Sequence, residues 1–192
     1  MIPTLLKALE LKDEKRTGQQ LYSIEDPDSI AGHSWTVSIL TLVYGREEEV
    51  NMEKALKLAL VHDLAEAEIG DFATRTDSEN QKVSEEEKEM MEHDAITEMS
   101  EGLNTHEIRM LWKEYEKGES PEAEIVNDMD HIEKCLTALK NEKEDNYSPE
   151  DNKELPYDNL DEFFLTAEDE FKTKIGKQIF KELKSRYEEE KS

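Results

Sequence analysis

The chain has little of what builds sheets, disulfide scaffolds or membrane spans. Its 192 residues include one cysteine, Cys135, so no intramolecular disulfide can form. Five prolines and seven glycines leave few sites for tight turns. With Leu, Ala, Glu and Lys abundant, that scarcity disfavours a sheet of short strands and predicts long helices. No window approaches the roughly 18 consecutive apolar residues of a spanning helix, and the apolar run near Met1 is too short for a signal peptide. A cytoplasmic protein without membrane contact is expected. Basic residues are in deficit, 24 against 49 acidic ones, for a formal charge of −25. Such a field repels polyanions at long range and argues against duplex nucleic acid as a partner. A small phosphorylated ligand would need a local metal or arginine to offset it.

The length suits one domain, 1–192. Ile2, Leu5, Leu6 and Leu9 make an apolar stripe on a helix from Pro3 to about Lys12, with Lys12–Gln20 read as loop. Asp28 or Ser29 caps a helix over Ile30–Gly45. On it His33 shares a face with Ile30, Val37, Leu40 and Tyr44 and points into the core, and Trp35 is expected to pack there too. Asn51 caps Met52 to about Glu68, apolar on nearly every side and so expected to be central, and Gly70 ends it. Asp71–Gln81 reads as a loop over one end of the bundle. A charged helix over Val83–Glu101 follows, with Ser84–Glu92 a solvated face, and then Thr105–Lys117. Ser120 and Pro121 start a helix over Glu122–Glu142 with the stripe Ile125, Val126, Met129, Ile132, Leu136 and Leu139. Asn141–Leu155 reads as a flexible polar loop, and one helix or a pair fills 156–190. The fold class is all-α.

Four side chains stand out. His33, the pair His62-Asp63 and Asp130 offer one divalent ion two imidazoles and two carboxylates, a set that makes hydroxide from water near neutral pH. An ionised Asp63 in so apolar a helix needs a cation or several donors. Adjacent helical residues diverge by about 100°, so His62 and Asp63 share a ligand only where the helix is ending; Gly70 lies a few residues on. Asp128 and Asp130 flank their apolar stripe on opposite sides, and periodicity does not choose between them. Glu66, one turn beyond His62, can serve acid–base chemistry or simply bond to His62. Asp71 can meet a substrate or cap the turn after Gly70. Arg16 is one of five arginines, and its planar fork suits a phosphate better than a lysine does. Thr74 and Arg75 are further phosphate-side candidates. His93, His106 and His131 show no ligand spacing and read as surface, and Cys135 as partly buried and inert.

The segments L-K-D-E-K-R-T-G-Q-Q (11–20), A-G-H-S-W (31–35), L-V-H-D-L-A-E-A-E-I-G-D (60–71) and N-D-M-D-H-I-E (127–133) resemble, in order, those of the HD-domain metal-dependent phosphohydrolases. Within that superfamily they look most like the small 5'-deoxynucleotidases, over roughly Leu11–Leu139. The resemblance implies an HD-domain helical bundle that hydrolyses (deoxy)nucleoside 5'-monophosphates. One divalent transition metal, Co²⁺, Mn²⁺, Fe²⁺, Ni²⁺ or Zn²⁺, would be held by His33, His62, Asp63 and Asp130. It selects Asp130 over Asp128 because a glutamate, Glu133, follows three residues later. It assigns Glu66 and Asp71 to catalysis and Arg16 to the substrate phosphate, and it implies a homodimer. The chain departs from the pattern at Gln19, where relatives with this spacing carry tryptophan, and at Gly32, where glutamate is common. Hydrolysis of another phosphate ester, or a binding role without turnover, are the alternative readings.

Overall fold

The computed structural model describes residues 1–76, 81–149, 152 and 155–191. Among these, every regular element is helical, and the only strand-like pairing is an isolated bridge between Lys15 and Ser29. Helix α1 (Ile2–Leu9) has proline in its first turn and runs into a 3-10 turn, Glu10–Lys12. Where the sequence reads as loop, a short helix α2 (Thr17–Leu21) forms, and it follows Arg16 directly. Ser29, not Asp28, caps α3 (Ile30–Tyr44), its hydroxyl accepting from Gly32 N–H, and α3 buries Ile30, His33, Val37 and Thr41.

Helix α4 (Met52–Val61) is capped by Asn51 and stops at His62, well before the end that periodicity predicts. Leu64 N–H and Glu66 N–H bond to the carbonyls three residues back, on Val61 and Asp63. That tightening breaks the α-helical course, while the apolar pattern continues into α5 (Glu66–Ile69), so spacing alone reads one helix. Gly70, at φ 78°, closes the segment. Helix α6 (Glu85–Gly102) opens with a Ser84/Glu87 capping box, α7 (Glu107–Lys117) ends on left-handed Gly118, and Ser120 caps α8 (Pro121–Glu144). The C-terminal part is a pair, α9 (Asp161–Leu165) and α10 (Lys174–Glu190).

The central element is α8, not α4. It packs on α3, α4, α7 and α10, and Ile125, Met129 and Ile132 are fully enclosed, each burial stabilising by about 1.5–3 kcal/mol. Cys135 is likewise completely buried rather than partly so, and burial raises its thiol pKa. Asp128 accepts from Lys172 N–H (2.9 Å), Thr173 N–H (2.8 Å) and the Thr173 hydroxyl, and so anchors the start of α10 on α8. Gly176 allows this close approach, since a Cβ there would overlap the Asp128 carboxylate.

Other expectations are corrected. Trp35 is 66% exposed, because two residues on a helix lie about 200° apart and His33 takes the inward face. Glu92 is buried rather than solvated, with Lys88 at 3.3 Å. His131 is half-buried with its ring edge on Phe171, and His93 is half-buried beside Trp112, whereas His106 is exposed. The 141–155 stretch stays helical to Glu144 and then docks: Ser148 N–H donates to Tyr22 O and Asn152 Nδ2 to Leu21 O. Backbone groups supply those anchors, which composition does not reveal. Residues 77–80 of the expected loop, and 150, 151, 153 and 154, lie outside the described residues. No helix among the described residues is long and apolar enough to cross a membrane.

Candidate active site

Three elements converge on one buried point. His33 comes from the inward face of α3, His62 and Asp63 from the break after α4, and Asp130 from α8. His33 Nε2 lies 2.9 Å from Asp130 Oδ1 and 3.4 Å from His62 Nε2. Asp63 Oδ2 lies 3.5 Å from His33 Nε2 and 3.3 Å from His62 Nε2. One donor atom each from His33, His62 and Asp130 falls within a 4.8 Å sphere of mutual distances. The early end of α4 lets the adjacent His62 and Asp63 face the same centre.

The outer partners decide which ring nitrogen faces inward. His62 Nδ1 donates to Ala59 O at 2.8 Å, and His33 Nδ1 donates to Glu133 Oε2 at 2.6 Å. Both Nε2 atoms are thereby turned to the carboxylates, the arrangement seen when imidazoles ligate a metal. The charges agree. Burial and Arg16 push the His33 pKa down, but Glu133 and Asp130 outweigh them and raise it to about 9. Burial disfavours the Asp63 anion, yet His62, Arg16 and His33 hold its pKa far below the usual carboxylate range; Lys134 and His33 do the same for Asp130. The raised His33 pKa and the depressed Asp63 and Asp130 pKa values both mark a site that favours positive charge, and mixed nitrogen and oxygen donors fit a divalent transition ion.

Arg16 stands beside this set with Nη1 3.0 Å from Asp63, 3.7 Å from Asp71 and 3.8 Å from Glu66. With its side chain 14% exposed, it is a largely enclosed cation of the site rather than a surface arginine. Asp71 accepts from Thr17 N–H, while Thr17 Oγ1 donates to Asp71 O at 2.8 Å, so Asp71 clasps the segment that carries Arg16. Glu66 Oε2 is buried without a hydrogen-bond partner; burial first, then the Asp63 charge, raises its pKa well above normal. It makes no bond to His62. Asp128 points away, to α10.

Arg16, His62, Asp63, Glu66, Asp71 and Asp130 line a cavity of about 300 Å³. Thr74 is on its wall and exposed. Arg75 is there too, its Nε donating to Glu162 at 3.2 Å. Gln19 is buried and bonds twice to Asp28, through Nε2 to the carboxylate and through Oε1 from the backbone N–H. Three residues acquire roles that local sequence does not signal. Glu133 was legible only as a motif marker, Tyr115 packs its ring 5.2 Å from that of His62, and Glu162 lies beyond the motif-bearing segments.

Known proteins share this architecture. Among curated relatives, 5'-deoxynucleotidase hdd1 of Schizosaccharomyces pombe is 37% identical over 153 residues, covering 76% of this chain and 74% of its own. 5'-deoxynucleotidase HDDC2 of Danio rerio is 35% identical over 162 residues, covering 84% and 75%. The crystal structure of PH0347 protein from Pyrococcus horikoshii OT3 superposes with a TM-score of 0.75 at 30% identity, over 98% of this chain and 99% of the other. The HD domain family model matches residues 8–168, from α1 through α9, and the chain belongs to the HD domain family.

Proposed function

We propose that the protein is a metal-dependent phosphomonoesterase that converts deoxynucleoside 5'-monophosphates to nucleoside and inorganic phosphate. The observation that carries this reading is the buried meeting of two imidazole Nε2 atoms and two carboxylates beside Arg16. Relatives named 5'-deoxynucleotidase support the substrate class. His33, His62, Asp63 and Asp130 would hold one ion of the Co²⁺, Mn²⁺, Fe²⁺, Ni²⁺ or Zn²⁺ type, which would supply Lewis acidity toward water and the phosphate oxygens.

The remaining work falls to side chains. Arg16 binds the phosphate and offsets its charge, which the net charge of −25 otherwise repels. Asp71 positions Arg16 through Thr17. Thr74 and Arg75 line the same cavity, where they would contact the substrate. A water oxygen bonds to phosphorus as the P–O5' bond breaks; the electron pair of that bond moves to the 5'-oxygen, which takes a proton from Glu66, whose carboxyl burial and the Asp63 charge bias toward the protonated form, and the proton lost by the water passes to Glu66. The protein acts in the cytoplasm as a homodimer. Trp35, Ile39, Leu42 and Val43 support this assembly, since all four stand exposed on the outward side of α3, and proteins rarely leave such an apolar patch bare.

Phosphate release from a panel of deoxynucleoside 5'-monophosphates, each with the five metals in turn, tests the reading. Wild type is expected to release nucleoside and phosphate, and Asp63→Ala to lose both bound metal and turnover with helicity intact. Full activity in Asp63→Ala, or no release by wild type with any metal, refutes it.

A further inference from the structure

Beyond the metal-ligand cluster the cavity continues toward α2 and α9. Cys135, which contacts Phe163 O at 3.7 Å, lies five residues past Asp130 on α8, an advance of about 7.5 Å along the helix. Thr137, further along the same helix, still lines the cavity. A nucleotide whose 5'-phosphate meets Arg16 therefore carries its base toward this end, across its sugar.

Four Phe or Tyr rings line the cavity, and three are otherwise engaged or placed. Tyr115 belongs to the metal end, against His62. Tyr22 is buried, and its hydroxyl donates to Glu162 at 3.0 Å. Phe72 directly follows Asp71, whose carboxylate is tied beside Arg16, and it also borders the neighbouring groove along α6 and α7. Phe163 is half-buried and tilted against Tyr22 at 5.6 Å between centroids. Gly18 stands beside it: a Cβ there would touch two atoms of the Phe163 ring at 3.6 and 3.7 Å, so glycine keeps α2 clear of that edge of the ring. The ring is also rigidly held. Glu162, its chain neighbour, is 4% exposed and accepts from Arg75 Nε, Thr76 N–H, the Thr76 hydroxyl and the Tyr22 hydroxyl, joining α9 to both other walls.

We infer that Phe163 is the platform on which the substrate's nucleobase stacks, making α9 the element that recognises the nucleoside. The inference rests on the reading of the protein as a nucleotide phosphohydrolase. It assigns the role to a residue outside the segments that carry the metal and phosphate chemistry. Stacking on an aromatic side chain changes affinity by about tenfold or more, whichever base is presented.

The test compares a deoxynucleoside 5'-monophosphate with 2-deoxyribose 5-phosphate, which has the same phosphate and sugar but no base, on the metal-loaded enzyme. Phe163→Leu keeps apolar bulk and removes the π face; Phe163→Tyr keeps the ring. The expected result is a rise of about tenfold in KM for the nucleotide in Phe163→Leu, with kcat and the base-less substrate little changed, and wild-type values in Phe163→Tyr. Nucleotide binding measured by calorimetry in a Glu66→Gln background should weaken by the same factor when Phe163→Leu is added. Equal losses on both substrates, unchanged nucleotide binding, or base discrimination that moves to Phe72→Leu overturns the assignment. If wild type releases phosphate from neither substrate, the functional reading itself has failed, and calorimetry still decides for or against Phe163.

Discussion

Glu133 accepts a hydrogen bond from His33 Nδ1–H at 2.6 Å and so fixes which nitrogen His33 turns to the other donors. Glu133→Gln removes the anion but keeps the shape, and metal affinity should fall about 10- to 100-fold in competition with a chelator, with helicity unchanged. Unaltered affinity would mean that the α3 backbone alone orients the ring. His131, next to a proposed ligand, behaves differently. Burial first, then Lys134, lowers its pKa to about 4. Between about pH 6.5 and 4 the unfolded chain binds a proton that the native state refuses, so native stability falls as pH drops through that window. His131→Asn should remove this slope. Relative to wild type it should gain about 2 kcal/mol on going from pH 7.5 to 4.5 by denaturant titration, whatever its offset at neutral pH. A constant difference between the two proteins across the window would show that His131 is not held neutral.

At the scale of elements, α8 carries two carboxylates with separate duties. Asp130 faces the cavity, while Asp128 receives two backbone N–H groups and a hydroxyl from the start of α10. Asp128→Ala should therefore destabilise the protein by about 2–3 kcal/mol, read as a lower denaturant midpoint, while each folded molecule still binds one metal. Metal loss in that variant would reverse the two assignments. Helical wheels placed both residues beside the stripe and went no further, because their difference arises from α10, some 45 residues later in the chain. The start of α3, the end of α7 and the start of α8 were legible, since Ser29, Gly118 and Ser120 are local signals acting on adjacent backbone. The break after Val61 was not, because the apolar pattern runs through it while the hydrogen bonds shift register.

For the whole molecule, the outward face of α3 and the heavy negative charge act in opposition. The proposed dimer brings together Trp35, Ile39, Leu42 and Val43, while two chains of −25 repel each other unless salt screens them. Trp35→Glu should shift sedimentation from dimer to monomer at micromolar concentration, and wild type should associate more tightly as salt rises from low to physiological. A wild-type monomer at every salt concentration would discard the dimer. Trp35 also marks a limit of pattern reading: the face of α3 that carries Ile30, His33 and Val37 is buried as the pattern indicates, whereas Trp35, about 200° away on the wheel, is left exposed.

The sequence by itself determined the helical class and most helix starts, because capping and spacing act between near neighbours, and the likeness of its motifs to the HD-domain pattern singled out His33, His62, Asp63 and Asp130 as the proposed donors. Tertiary structure alone decided that α8 is the hub, that Asp128 serves α10, that Glu133 and Ala59 aim the imidazoles, and that α9 closes the cavity. Those outcomes depend on which distant segments meet, and a contact between residues 33 and 133, or 22 and 162, leaves no periodic trace in the chain.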